Sequence, residues 1–308
     1  MPTDNLDTVN SSTRCGFVAL LGPPNSGKST LMNRLVGNKV SIVTHKVQTT
    51  RNRVRGIMTK GPCQIIFVDT PGIFDPSKRL ERAMVAAAWS GAEEADQLVV
   101  LFDAQKARIS GDMELIVEGL RSSKRKAILV LNKIDQVSRP KLLEMTTALS
   151  AQGMFSEIFM ISALTGDGVE DLAKHLSATM PPGPWHYPED QISDQPLRTL
   201  AAEVTREKLF LNLHQELPYS LTVETEQWEE FDDGSVRIQQ VIFVAREQHK
   251  GICLGKGGAR IKAVRAAAQK ELEAFLGQTV HLFLFVKVRG KWQDDREHYE
   301  TWGLDYNA

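Results

Sequence analysis

A chain of 308 residues, 42% apolar and 24% charged, has the composition of a globular protein of roughly two domains. The longest apolar runs, such as Val18 to Leu21 and Leu98 to Phe102, are about a quarter of the roughly 20 residues that span a bilayer. Lys plus Arg number 37 against 38 for Asp plus Glu, so no overall basic field announces nucleic acid and any such signal is local.

The first residues, MPTDNLDTVNSSTR, carry neither a basic n-region nor an apolar h-region, which predicts a disordered leader over 1–14 rather than a secretory signal. Cys15, Cys63 and Cys253 share no metal-ligand or C-x-x-C spacing and read as packed hydrophobes in a reducing, cytoplasmic location. From residue 15 to 180, β-rich apolar runs (Gly16 to Leu21, Gln64 to Val68, Leu98 to Phe102, Ala127 to Leu131, Ile158 to Ile161) alternate with stretches of helical period. That alternation predicts an α/β domain with a mainly parallel sheet covered on both faces. Val54 to Met58 and Gln64 to Val68, around Gly61-Pro62, predict one antiparallel hairpin within it. Pro181, Pro182, Pro184, Pro188 and Pro196 then mark a linker over 181–196.

Residues 197–308 follow a different order: a helix from Leu197 to Leu217 before Pro218, strands Ser220 to Trp228 and Val236 to Ala245, a glycine-dense loop Gly251 to Gly258, a helix Ala259 to Leu276 and a strand Val280 to Val288. The expected pattern is an α+β domain, α-β-β-α-α-β. His281, Phe283 and Phe285 alternate with Leu282, Leu284 and Val286, and their expected use is to cover the sheet.

Gly22-Pro23-Pro24-Asn25-Ser26-Gly27-Lys28-Ser29, followed by Thr30, fits G-x-x-x-x-G-K-[ST] between a predicted strand and a helical run. Free N–H groups and the positive dipole end of that helix suit a polyphosphate. Lys28 is expected to neutralise β- and γ-phosphate charge and the Ser29 hydroxyl to ligate Mg²⁺. Asp69-Thr70-Pro71-Gly72 closes the strand at Val68, so Asp69 can hold Mg²⁺ through water and the Gly72 N–H can sense the γ-phosphate. Asn132-Lys133-Ile134-Asp135 follows another strand and places a carboxylate at the carboxyl edge of the sheet. Asp135 can accept from the two donors of guanine, a pair adenine lacks, which selects GTP over ATP. Ser162-Ala163-Leu164 is expected to cap the base through its backbone.

Gly255-Lys256-Gly257-Gly258 matches the GXXG loop with which KH domains clamp single-stranded backbone. From Lys250 to Lys291 there are nine bases, including Arg260, Lys262 and Arg265, against two acids, a net of +7 that leaves −8 for the rest. This segregated stripe points to RNA.

Together, these motifs resemble the nucleotide-binding elements of translation-factor-related GTPases, with Gln48-Thr49-Thr50-Arg51 as the switch element. Their order, the Leu217-Pro218-Tyr219-Ser220 run and the glycine loop resemble the Era family of bacterial GTPases over nearly the whole chain. The resemblance implies a Ras-like G domain, a type II KH domain, binding of GTP and GDP, and action on 16S rRNA in assembly of the 30S subunit. It also implies a monomer with peripheral contact to the inner membrane. Ile73 stands where Ras-like enzymes place the water-orienting glutamine, so unaided hydrolysis is expected to be slow. By resemblance to potassium-activated GTPases, K⁺ is expected at Asn25 with Thr49, and Thr50 becomes the residue that senses Mg²⁺. Two other functions fit these features: a non-catalytic RNA-binding module with structural GTP, and a regulatory GTPase whose basic stripe reads acidic lipid.

Overall fold

The computed structural model describes residues 13–44, 46, 49–51, 53–106, 111–213, 221–290, 292 and 296–308. Residues 1–12 of the leader expected over 1–14, Gln48, the run 214–220 and Lys291 lie outside the described residues, while Arg14 is not leader but already opens the first strand. Two compact units result, one comprising residues 13–41 and 50–194, the other 42–49 and 195–307.

The first unit holds a six-stranded sheet of β1 (Arg14–Leu21), β2 (Val54–Lys60), β3 (Cys63–Asp69), β4 (Gln97–Asp103), β5 (Ala127–Asn132) and β6 (Phe155–Met160). The spatial order is β2-β3-β1-β4-β5-β6, with β2 antiparallel and all other pairs parallel. Helices α1 (Lys28–Val36), α2 (Arg79–Glu94), α3 (Gly111–Ser122), α4 (Arg139–Ser150) and α5 (Val169–Thr179) complete it. Successive side chains of a strand point to opposite faces, and β1 shows the result. Val18 and Leu20 join one core with Leu31, Phe67 and Leu172, while Ala19 and Leu21 join the other with Ala88, Val100 and Ile116. Because β3 lies on one side of β1 and β4 on the other, a crevice opens beyond the carboxyl end of β1, where open α/β sheets take their ligands.

The proline-rich stretch is fastened to this unit as far as Asp194. Cys15 N donates to the Pro181 carbonyl at 3.1 Å and Ile57 N to the Ile192 carbonyl at 2.9 Å. The buried Gln64 amide bonds His186 N, Tyr187 N and the Tyr187 carbonyl. This strap covers part of the open edge of β2, which would otherwise present unpaired backbone groups.

The second unit contains α6 (Leu197–Asn212), β7 (Leu221–Glu230), β8 (Val236–Val244), α7 (Glu247–Leu254), α8 (Ala259–Leu276), β9 (Val280–Val288) and α9 (Arg296–Thr301). Its sheet runs β7-β8-β9, antiparallel then parallel. Val204, Leu209, Phe210, Ile238, Ile242, Val264 and Leu272 pack between sheet and helices. Two expectations are corrected. Helix α6 ends at Asn212, because Leu213 is already extended at φ −105°, ψ 149°. The segment Gly251 to Leu254 belongs to helix α7, so the glycine loop shrinks to residues 255–258. Val43 and Thr49 bond to α6: Val43 N donates to Glu207 Oε1 at 2.9 Å, and Arg206, itself paired with Glu203, donates to the Thr49 carbonyl.

Candidate functional site

The loop Gly22 to Gly27 connects β1 to α1, and the helix begins on Lys28 itself. The chain is tight enough here to demand glycine twice. A Cβ on Gly22 (φ 153°) would meet the Leu101 carbonyl at 2.6 Å, and one on Gly27 (φ 100°) would meet Asn132 Nδ2 at 2.2 Å. Pro23 accepts from Ser26 N at 3.3 Å, Asn25 holds φ 62°, and Thr30 follows in the first turn of the helix. Lys28 is buried, and its Nζ donates to the carbonyls of Gly22 and Pro23, each at 3.0 Å. Burial lowers its pKa to about 8, against the opposing pull of Asp69.

Three oxygen-bearing side chains converge beside it. Ser29 Oγ donates to Asp69 Oδ2 at 2.6 Å, and Thr50 Oγ1 lies 3.2 Å from Ser29 Oγ and 3.4 Å from Asp69 Oδ2. Ser41, which the motifs did not single out, also donates to Asp69 Oδ2 at 2.9 Å. Asp69 is fully buried, its other oxygen has no partner among the described residues, and burial raises its pKa despite the hydroxyls and Lys28. The turn after it docks on the phosphate loop. Thr70 Oγ1 donates to the Leu20 carbonyl at 2.7 Å, and Ile73 N, just past Pro71 and Gly72, donates to the Gly22 carbonyl at 3.1 Å. A Cβ on Gly72 would strike the Pro24 backbone at 2.9 Å.

At the other end, Asn132 ties the base side to the phosphate side. Its Nδ2 donates to the Ser26 carbonyl at 2.8 Å, and its Oδ1 accepts from Lys133 N and Ala163 N at 2.8 and 2.9 Å. Lys133 takes φ 65° and pairs with Asp103 at 2.7 Å, while Ile134 N donates to the Ile161 carbonyl. Asp135 is exposed, and the Ser162 hydroxyl holds its carboxyl below the usual range. Ser162, Ala163 and Leu164 form the turn beside it. Thr49, expected with Asn25 at a K⁺ site, has its hydroxyl engaged within its own loop, 2.6 Å from Thr44 Oγ1 and 2.7 Å from the Lys46 carbonyl.

In the second unit, Gly255, Gly257 and Gly258 all take positive φ (72°, 59° and 76°), and Gly258 caps the N-terminus of α8. Lys256, Lys262 and Arg265 are exposed beside that turn, whereas Arg260 donates to the Ile252 carbonyl and Lys250 lies 3.8 Å from Glu247. Val264, Ala268 and Leu272 form the buried face of α8, which leaves Lys262, Arg265 and Lys270 to solvent. Contrary to the expected covering role, Phe283 and Phe285 are 43% and 48% exposed, with the Arg237 guanidinium 5.3 Å from the Phe283 ring.

A family model described as a 50S ribosome-binding GTPase matches residues 17–133, and one described as a KH domain matches residues 216–293. The chain is 60% identical to GTPase Era of Rhizobium meliloti (strain 1021) over 96% of its own length and 94% of that protein. It is 58% identical to GTPase Era of Brucella suis biovar 1 over 97% and 96%. Among solved structures, a variant of Aquifex aeolicus Era bound to GDP.AlF4- superposes with a TM-score of 0.89 at 38% identity, covering 94% of this chain and 99% of that one. Era in complex with MgGDPNP and nucleotides 1506–1542 of 16S ribosomal RNA gives the same score, identity and coverage. Identity of this degree over nearly the full length shows that the chain belongs to the Era family of GTPases, enzymes that hydrolyse GTP.

Proposed function

We propose that this GTPase binds the 3′ region of 16S rRNA through a KH domain within residues 197–308, and that GTP hydrolysis in a G domain within 15–180 times its work in assembling the 30S subunit. The observation that carries this reading is one chain holding both a cluster of buried Lys28, Asp69 and Thr50 with half-buried Ser29 and a three-glycine turn flanked by exposed bases. The complex of a relative with a 16S rRNA segment supports the choice of partner. We place the protein in the cytoplasm, acting as a monomer, with any membrane contact peripheral; among the described residues no helix is long and apolar enough to cross a membrane.

The donor set fits Mg²⁺, which takes oxygen ligands and retains waters. Ser29 and Thr50 offer hydroxyls, and Asp69 offers a buried carboxylate with one oxygen unpartnered among the described residues. When bound there, the ion would neutralise charge on the β- and γ-phosphates. The remaining work falls to the chain. The N–H groups at the start of α1 cradle the phosphates. Lys28 exchanges two backbone carbonyls for phosphate oxygens, and Gly72 N–H meets the γ-phosphate. Asp135 reads guanine, and residues 162–164 cap it. The buried Ile73 side chain has no group with which to orient water. We therefore assign rate enhancement to charge near the β-γ bridge and keep K⁺ at Asn25 as its source. Turnover is expected to be faster in K⁺ than in Na⁺, and equal in both salts for Asn25→Ala; equal rates in the unaltered protein would remove K⁺.

The partner is tested by crosslinking the GTP-loaded protein to cellular RNA and sequencing the bound segments, with Lys256→Asp/Gly257→Asp as control. Enrichment of one small-subunit rRNA segment that vanishes in the control is expected. Diffuse RNA, or recovery unchanged in the control, would overturn the RNA partner while leaving the GTPase intact. Binding to anionic vesicles that rRNA does not displace would favour the lipid reading of the stripe.

A further inference from the structure

Helix α1 begins in the phosphate loop and ends near the turn expected to cap the base. Its last turn carries Arg34, which is exposed but directs its guanidinium at backbone. Nε donates to the Ala163 carbonyl at 3.3 Å, and a terminal nitrogen donates to the carbonyl of Leu164. The guanidinium carbon also lies 3.7 Å from where a Cβ would stand on Gly166. From the opposite side Asn132 Oδ1 accepts the Ala163 N–H, while Asn132 Nδ2 reaches the Ser26 carbonyl. The capping turn is therefore fastened to the phosphate loop twice: directly by Asn132, and through Arg34 by a nine-residue helix about 13 Å long. Since every i→i−4 bond of a helix resists stretching, Arg34 sets how far the base-capping turn stands from the phosphate loop.

We infer that Arg34 is a positioning residue for guanine selection, holding the 162–164 turn at the height the base requires when the phosphates are seated. The inference rests on the reading of Asp135 and residues 162–164 as the base site. A cation in the last turn of a helix also complements the helix dipole, and that simpler role must be separated from this one. Lysine keeps the charge and the helix propensity but has no planar fork with which to hold two carbonyls together.

The measurement is equilibrium binding of GTP, GDP and ATP to the full chain, with steady-state hydrolysis and thermal midpoints, for Arg34→Lys, Arg34→Ala and Asp135→Asn. Arg34→Lys is expected to weaken GTP and GDP by one common factor, about fivefold to tenfold. It should narrow the preference for GTP over ATP by the same factor, with kcat and the thermal midpoint unchanged. Asp135→Asn should transfer preference to xanthosine triphosphate. Wild-type affinity and preference in both Arg34 variants would overturn the inference, as would a loss of affinity that leaves the GTP-to-ATP ratio untouched. If Asp135→Asn keeps full GTP affinity, the base-site reading is wrong, and the role of Arg34 falls with it.

Discussion

Lys28 is a buried cation, and the chain sets two carbonyls and the charge of Asp69 against the loss of water. Desolvation favours the neutral amine, which is why its pKa falls to about 8 from an ordinary 10.5. The sign follows directly. Between those values the folded chain holds fewer protons at this group than the unfolded chain, so its destabilising effect is full below about pH 8 and fades as pH rises toward 10.5. Phosphate oxygens arriving at Nζ favour the ammonium again, so nucleotide binding should recover the proton. At about pH 8.5 GTP binding is expected to take up more than half a proton per site, and close to none at about pH 7. Calorimetry in two buffers of different ionisation enthalpy reads this number. Equal uptake at both pH values would mean that Lys28 is charged throughout. Asp69 carries the complementary strain: burial raises its pKa although Lys28 and the hydroxyls of Ser29, Ser41 and Thr50 pull it down, so a further cation would relieve the carboxylate.

At the scale of elements, the strap after α5 illustrates how one buried side chain can replace a strand. Gln64 is fully buried in β3, and its amide satisfies two N–H groups and one carbonyl of residues 186–187. Gln64→Leu keeps the volume but leaves those three groups without their partner, at a cost of about 2–4 kcal/mol. A matching fall in urea midpoint and faster proteolysis within 182–194 are expected; unchanged values in both would show that the strap holds without Gln64. Nothing near the prolines announces this docking, because Gln64 is more than a hundred residues away in sequence and polarity alone places it on a surface. Other features were legible for the opposite reason. Strands β1, β3, β4 and β5 hold continuous apolar runs, and the phosphate loop is written in adjacent residues. Its partners are not: Ser41 and Arg34 reach the site only through folding, and neither belongs to a motif. Helix α7 was hidden because Gly251 and Gly255 punctuate its end, and glycine there reads as loop until Gly255 is seen at positive φ beyond the last turn.

For the whole molecule, charge is distributed rather than accumulated. The net charge of −1 conceals +7 between Lys250 and Lys291 against −8 elsewhere, so a polyanion is attracted by one region and repelled by the remainder. The structure narrows the stripe further. Arg260 is committed to the Ile252 carbonyl, Lys250 is near Glu247 and Lys287 pairs with Glu226 at 3.0 Å, whereas Lys256, Lys262 and Arg265 are exposed around the glycine turn. If those three neutralise phosphates of single-stranded RNA, the slope of log K against log salt should be about −2, at roughly −0.7 per contact. Lys262→Glu/Arg265→Glu should reduce its magnitude to about 0.7, while GTP affinity, assigned to residues of the other unit, should barely respond to the substitutions. Titration of a 16S 3′-end oligonucleotide across a salt series measures both slopes. A slope near zero in the unaltered protein would assign RNA affinity to apolar contacts, with Ile252 and Phe285 as the exposed candidates. A steep slope unmoved by the double change would shift the phosphate contacts away from α8.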